Sequence, residues 1–567
     1  MNRILTPGRN CQGLAGVERA GLLVDARNYF RAFFRAARQA RRTIFIAGWQ
    51  FDSNVRLLRG ADARDGGTET GVLSFLEKLC ERSPDLQVYL LMWDFSVIYS
   101  PDRQWFQERI VNQSASGRLH FRFDDKHPVG ASHHQKLVVI DGTIAFVGGI
   151  DFASGRWDTR LHRAGNPDRV NADGEPYEAY HDLHAFVTGD AATELARVFR
   201  QRWLDSGGED IPLNGTAEGG RPAFPSLPIA APQVAVSRTL PRTLVPLREP
   251  ILEIRALYQD AIAAAERMVY LENQYFSSRV VFRALADRMT NAGNRRLQVI
   301  LILPRRPHAL IEEISLGLAQ VKMLGSLKDL ATQYGHSLGI YYTLTAGAES
   351  ETDATYIHAK TLIVDDRFLT VGSANTTNRS MGLDTELNLS WEDGDGKPLA
   401  ASIRHIRTSL LMEHTGIRTL EHRRKLRGTG GIVDYLNGLA DRRECRLRRH
   451  TLETFLPAGM LPEDLKAEDL SFDPEQSIAE ENLFELISND RTGLFAQGIL
   501  WLNKLLLHRE PGSAERAVSA PSAAGTENDA KTRPTDGAQG LSRRCFWAVL
   551  AAAALIAAVA VWLLLGR

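Results

Sequence analysis

Residues 133–156, HHQKLVVIDGTIAFVGGIDFASGR, and residues 357–379, IHAKTLIVDDRFLTVGSANTTNR, are two versions of one pattern. In each, a His is followed two positions on by Lys, five further by Asp and seven further by Gly. The first set is His134, Lys136, Asp141 and Gly148, the second His358, Lys360, Asp365 and Gly372. LVVI before Asp141-Gly142 and TLIV before Asp365-Asp366 read as buried strands entering two-residue hairpin turns. Side chains alternate along a strand, so a His and a Lys two apart share a face, and each motif offers an imidazole beside an ammonium.

The repeat extends in both directions. Upstream, YFRAFFRAARQARRTIFIAGWQF (29–51) and ILEIRALYQDAIAAAERMVYLENQYF (251–276) share one layout, an amphipathic helix running into a strand. LQVYLLMWD (86–94) answers LQVILILP (297–304), and downstream HDLHAFV (181–187) answers TELNLSW (385–391), which sets Asp182 opposite Glu386. Alternating helices and strands in both halves predict an α/β fold, two α/β domains related by a pseudo-twofold, each with a mixed sheet between helices.

The expected organisation is a first half over 1–205, a Gly- and Pro-rich linker over 206–232 and a second half over 233–416. A helical region over 417–508, a flexible tether over 509–545 and a charge-free run over 546–565 follow. That run of twenty apolar residues is long enough for a transmembrane helix, with Arg543 and Arg544 before it. It predicts a single-pass C-terminal tail anchor with the catalytic halves in the cytosol. The basic stretch RRECRLRRH (442–450) reads as a solvated helix face, its rival reading being contact with anionic headgroups.

Lys and Arg number 68 and Asp and Glu 68, so no global field recruits nucleic acid. Four scattered cysteines without a CxxC pair, and no His at zinc-ligand spacing, predict neither structural zinc nor a disulfide framework. The N-terminus has no apolar core of a secretory signal.

Two imidazoles suit the splitting of a phosphodiester by a covalent route, because neutral imidazole is a nucleophile and imidazolium an acid near neutral pH. Lys136 and Lys360 would hold the non-bridging oxygens, with Ser373 and Asn375 in the second half, and Asp151 in the first, as supporting groups. Asp182 and Glu386 are candidates to orient the imidazoles, whereas Asp141 and Asp365 at turns read as structural. Arg156 and Arg379, at matching positions, are open between structural ion pairs and phosphate contact. No step needs a metal or other cofactor, since lysines supply the positive charge.

These motifs, HxK(x)4D(x)6G followed by Gly149 or Ser373, resemble the hallmark of the phospholipase D superfamily. GGIDFASGRWD, YHDLHAFVTGDAA, LENQYF, GSAN and NRSMGLDTE carry the likeness over about residues 29–416, toward the phospholipid-cleaving branch related to the eukaryotic enzymes. The resemblance implies a phosphohistidine intermediate, His134 as nucleophile, His358 as leaving-group acid, and water or an alcohol as acceptor; the residues alone leave the two histidines equivalent. It implies hydrolysis of a glycerophospholipid to phosphatidic acid, with a membrane as partner. The rival is phosphatidyl transfer of the cardiolipin synthase type; nuclease and non-catalytic scaffold readings are weaker. No PX, PH or C2-like segment precedes the first half.

Overall fold

The structure is a computed structural model that describes residues 3–66, 71–94, 117–128, 130–213, 223–244, 247–291, 293, 295–306, 310–393, 397–451 and 473–477. The chain divides into a unit of residues 1–489 and a second of 490–567, and every described residue lies in the first.

Two mixed sheets carry the repeat. The first runs Ala20–Val24, Leu183–Thr188, Ile144–Gly148, Leu137–Ile140, Thr43–Gly48, Gln87–Trp93, Leu119–Asp124. The second has its counterparts in the same order: Gln233–Leu240, Glu386–Glu392, Phe368–Gly372, Thr361–Val364, Met268–Glu272, Gln298–Ile302, Ser337–Leu344. In both, the last three strands are parallel and the rest antiparallel. Both faces of the central strands are covered, so LVVI and TLIV are wholly buried and apolar but for Thr361, whose hydroxyl donates to Thr370 O.

Three apolar cores follow from this layering. Helices Asp25–Ala37 and Val72–Arg82 cover the outer face of the first sheet, with Tyr29, Phe30, Phe33 and Phe34 at helical spacing forming one stripe. Helices Glu253–Ala263 and Arg279–Thr290 do the same for the second sheet. The largest core lies between the sheets and takes Leu137, Val139, Ala145 and Val147 from one motif and Ile363, Leu369 and Val371 from the other.

The boundaries differ from the sequence reading where exposed sheet edges demand partners. Gly13–Gly16 pairs with Gln233–Leu240 of the second sheet, and Leu227–Pro228, inside the expected linker, pairs with Ala20–Val24 of the first. Within the basic stretch, Leu447–Arg449 is a strand on Ser337–Leu344, not a helix face. The expected tail anchor, and the membrane localisation built on it, is withdrawn. Among the described residues no helix is long and apolar enough to cross a membrane. The longest, Leu310–Tyr334, carries Glu312, Glu313, Lys322, Lys328 and Asp329. Residues 546–565 themselves, and the tether before them, lie outside the described residues.

The motif aspartates show why they sit where they do. Asp141 (φ 50°) and Asp365 (φ 53°) adopt the left-handed backbone of their hairpin turns, which Asp tolerates better than most residues. Asp141 accepts hydrogen bonds from the backbone N–H of Arg41, Arg42 and Thr43 at 2.8, 2.8 and 2.9 Å. Asp365 accepts from Glu266, Arg267 and Met268 at 2.7, 2.8 and 2.7 Å. Each thus pins the start of the strand beside its own hairpin. Asp365→Ala leaves three N–H groups without their acceptor and puts a Cβ with no polar compensation at positive φ. The expected loss is about 3 kcal/mol. Chemical denaturation measures it, and a loss under about 0.5 kcal/mol, the scale of an ordinary surface change, would contradict the pinning role.

Candidate active site

The two motif histidines are held by the opposite half of the protein. The backbone N–H of His134 donates to Thr385 O at 2.9 Å, and that of His358 donates to His181 O at 2.8 Å. Residue 133 bridges residue 385 in parallel register, and Ala354–Ile357 pairs in parallel with Tyr180–His181. The residue after each acceptor is the carboxylate of the matched strand. His134 Nδ1 lies 3.1 Å from both oxygens of Glu386, and His358 Nδ1 lies 2.6 Å from Asp182 Oδ2. A carboxylate at Nδ1 keeps a proton there and leaves Nε2 with the lone pair, the form that attacks or accepts. The His134 and His358 side chains are 15% and 10% exposed, whereas Glu386 and Asp182 are shut away from water.

The hallmark glycines make room for this arrangement. A Cβ on Gly148 would lie 2.4 Å from Leu183 O, and one on Gly372 would lie 2.1 Å from Asn388 Oδ1. A Cβ on Gly149 would lie 2.2 Å from Asp182 Oδ1. At the matching position Ser373 instead donates its hydroxyl to Glu386 Oε2 at 2.5 Å, and Ser380 donates to Oε1 at 2.6 Å. Glu, one carbon longer than Asp, reaches past these hydroxyls.

The lysines differ too. Lys136 Nζ is 3.0 Å from Asp151 Oδ2 and donates to His134 O at 3.0 Å. Lys360 donates to Gln274 Oε1 at 3.1 Å and to His358 O. Asn375 stands at the position matching Asp151, and Lys360 meets the neutral amide of Gln274 where Lys136 has a counter-ion. Three expected phosphate supports are therefore placed differently from the sequence reading. Asp151 binds Lys136 and the Trp49 N–H, Ser373 is committed to Glu386, and Asn375 is buried with its Oδ1 lacking a hydrogen bond.

Arg379 is tied to Asp384 at 2.7 Å and to Gly130 O, a structural pairing. Arg156 makes no ion pair among the described residues. Its guanidinium lies 5.2 Å from the centre of the Tyr180 ring, which itself lies 5.2 Å from the His358 ring. His133 Nε2 lies 3.2 Å from Asp124 Oδ2, and its Nδ1 contacts Thr385 Oγ1 at 3.1 Å. Trp157 and Trp203 are core residues, while Trp49 stacks on Trp93 at 5.6 Å.

A model described as phospholipase D matches residues 36–219, and one described as the phospholipase D-like domain of cardiolipin synthase matches residues 258–406. The chain belongs to the phospholipase D superfamily. It is an enzyme, a phospholipid phosphodiesterase or phosphatidyltransferase. Phospholipase D alpha 1 of Nicotiana tabacum is 24% identical over 76% of this chain and 68% of its own length. The Brassica oleracea var. capitata protein of that name is 24% identical over 79% and 71%. A phosphatidylserine synthase structure from Haemophilus influenzae superposes over 76% of this chain and 96% of that one with a TM-score of 0.47 at 14% identity.

The charges of this superfamily site are set by burial. Burial lowers both motif histidines well below their ordinary range, and the two lysines add to the effect; Arg156 also acts on His358. Burial pushes Lys360 down to about 7, and Asp182 and Glu386 up to about 7, with the Ser373 and Ser380 hydroxyls opposing the rise at Glu386. Burial therefore disfavours the charged form of each of these groups.

Ser380 and Gln274 are not singled out as site residues by spacing. Gln274 and Ser380 lie in LENQYF and NRSMG, strings that carry the family likeness, but nothing local shows that they meet Lys360 and Glu386.

A carboxyl with a folded pKa above its ordinary value binds more protons folded than unfolded in between. Its contribution therefore favours folding below about 4.5 and is lost as pH rises through about 7. Glu386→Gln removes that component. The unfolding free energy of the parent minus that of the variant should decline between pH 4.5 and 7, measured by denaturant titration at fixed pH. A difference that rises with pH over this window would show that the hydroxyls and cations outweigh burial.

Proposed function

We propose that this protein is a phospholipase D, cleaving the headgroup phosphodiester of a glycerophospholipid through a phosphohistidine. The observation that supports it most is the crossed pair of His-carboxylate dyads, one from each motif, beside Lys136 and Lys360. The phospholipase D alpha relatives support the lipid substrate.

In this reading an incoming phosphodiester brings negative charge beside the imidazoles and lysines and favours their protonated forms. His134 Nε2 attacks phosphorus. The bond from phosphorus to the headgroup oxygen breaks, and His358 gives its Nε2 proton to that oxygen. The phosphorylated imidazole bears positive charge, which a Glu386 anion held by Ser373 and Ser380 stabilises. This favours His134 over His358 as nucleophile, in line with the family likeness. His358 then takes a proton from water or an alcohol, whose oxygen bonds to phosphorus as the bond to His134 breaks. Lys360, with only an amide as counter-group, is the better placed lysine for the non-bridging oxygens.

Phosphatidyl transfer to a lipid hydroxyl uses the same steps with another acceptor. The match of the second half to a cardiolipin synthase domain supports keeping it as the second reading.

Incubating the full chain with phosphatidylcholine, with and without ethanol, tests both. Phosphatidic acid plus choline, turning to phosphatidylethanol when ethanol is present, is expected. Cardiolipin from phosphatidylglycerol without phosphatidic acid would select the second reading. Cleavage of a simple phosphodiester dye with no headgroup release from phosphatidylcholine, phosphatidylethanolamine or phosphatidylglycerol would defeat the lipid assignment. His134→Ala should lower turnover by at least about a thousandfold, as loss of a covalent nucleophile does.

Arg156 is the third cation of the site in this reading and meets the bound phosphodiester from the His358 side. Arg156→Gln should raise KM about tenfold, the scale of one charge-assisted hydrogen bond, with a smaller change in kcat. A variant with unchanged KM would make Arg156 a packing partner of Tyr180 only.

A further inference from the structure

Residues 473–477, DPEQS, fall within the stretch expected to be helical, yet they run without helix and lie against the second half. A Cβ on Gly382 would lie 2.5 Å from Glu475 O, so the segment packs directly on the short helix Asn378–Gly382. Arg255 of the helix Glu253–Ala263 pairs with the Glu475 carboxylate, and Ser477 is buried.

Asp473 makes the most committed contacts of the segment. Its Oδ2 accepts from the Ser277 hydroxyl at 2.6 Å and from the Asn378 N–H at 3.0 Å, and its Oδ1 accepts from the Arg379 N–H at 2.8 Å. Asn378 and Arg379 open the short helix, where N–H groups have no partner inside the helix, and Thr377 Oγ1 takes the next N–H, that of Ser380. A carboxylate accepting from backbone N–H makes one of the stronger kinds of hydrogen bond. The setting of this helix therefore depends on a side chain 95 positions beyond its first residue.

That helix serves the chemistry. Ser380 donates to Glu386 Oε1 at 2.6 Å, and the same oxygen lies 3.1 Å from His134 Nδ1. Arg379 reaches from the helix to Asp384 and to Gly130 O, and Asp384 accepts from the Ser132 N–H at 2.8 Å, just before His134. Trp157 follows Arg156 where Ser380 follows Arg379, and Gly149 stands where Ser373 does, so hydroxyls on the carboxylate belong to the Glu386 side. A glutamate side chain is long enough to turn away from its imidazole, and donors on both of its oxygens hold it in place.

We propose that Asp473 is a positioning residue for the His134–Glu386 dyad, acting through the Asn378–Gly382 helix and its Ser380 hydroxyl. Slack in the helix becomes slack in the imidazole that attacks phosphorus, which slows the chemical step more than it weakens substrate binding. The Arg255–Glu475 pair, with side chains 36% and 30% exposed, only helps to seat the segment and contributes little. The proposal rests on the two-histidine reaction assigned above, but not on which phosphodiester that reaction cleaves.

With purified full chain, kcat and KM are measured for headgroup release from phosphatidylcholine and for cleavage of a simple phosphodiester dye. On whichever ester the parent cleaves, Asp473→Ala should lower kcat by about ten- to a hundredfold, the scale of a reacting group displaced by about 1 Å, with KM changed less than about twofold. Its far-ultraviolet circular dichroism should match the parent. Arg255→Gln should keep kcat within about twofold of the parent, as for an exposed ion pair. Added to Ser380→Ala, Asp473→Ala should cost less than about threefold more, because the hydroxyl it acts through is already gone. If Asp473→Ala does not fold, Asp473→Asn decides by the same loss in kcat, since its amide nitrogen faces at least one of the donors. A folded Asp473 variant with parental kcat, a loss confined to KM, or losses that multiply in full with Ser380→Ala would overturn the proposal. Dye cleavage without headgroup release would strike the lipid assignment instead and leave the comparison of kcat values to decide this one.

Discussion

A buried carboxylate must find a partner, and here neither half contains the partner its own carboxylate needs. Glu386 belongs to the second half and meets His134 of the first; Asp182 belongs to the first and meets His358 of the second. Both carboxylates are removed from water, so separating the halves would leave each imidazole without the group that fixes its tautomer. The backbone repeats the exchange through the parallel pairings at 133 with 385 and 356–357 with 180–181. Docking of the halves and assembly of the chemistry are therefore one event.

The frame is close to symmetric, but the reaction requires two different histidines, one to bond phosphorus and one to move protons. The differences fall at matched positions: Gly149 against Ser373, Asp151 against Asn375, Trp49 against Gln274, and Arg156, without an ion pair among the described residues, against Arg379 bound to Asp384. Three of the four change hydrogen-bond donors or charge within contact of a motif His, Lys or carboxylate; the other frees a cation beside the Tyr180 ring. The β-strands carry the symmetry, because they must pair and bury alike. The residues at their C-terminal ends carry the asymmetry, where side chains are free of the ladder.

The fold was legible because its repeat is written in strand-length apolar runs that must be buried on both faces, LVVI and TLIV above all. The histidines, lysines and carboxylates were legible because matched offsets in two copies are improbable by chance. Crossing of the dyads was not, since a repeat alignment pairs Asp182 with Glu386 without saying which imidazole each one faces. Ser373 was misread for a related reason: its offset places it after the strand, but only the register of Glu386–Glu392 on Phe368–Gly372 turns its hydroxyl to the carboxylate. The tail run was read from its hydropathy and its flanking arginines, and hydropathy measures transfer into an apolar medium without identifying that medium.

The buried cluster of Asp25, His162, His181 and Glu413 lies at the far limit of what sequence can show. Its members stand in no motif spacing, and two of them are held in unusual backbone. Among the described residues five non-glycines have positive φ: three are the turn aspartates 141, 365 and 366, and the others are Asp25 at 65° and His162 at 44°. Strain of this kind persists only where the surroundings over-determine it. Here it turns a carboxylate at a strand-to-helix junction and an imidazole in a loop toward the same buried point, beneath the strand that ends in His181. The network runs on from His181 through Glu272 to His414 and Thr343, so buried polar groups join the sheets behind the dyads as apolar side chains join them elsewhere. An apolar core alone would tolerate sliding of one sheet over the other by fractions of an ångström. A hydrogen-bonded charge network tolerates much less, and His134 and His358 must address one phosphorus atom from opposite halves.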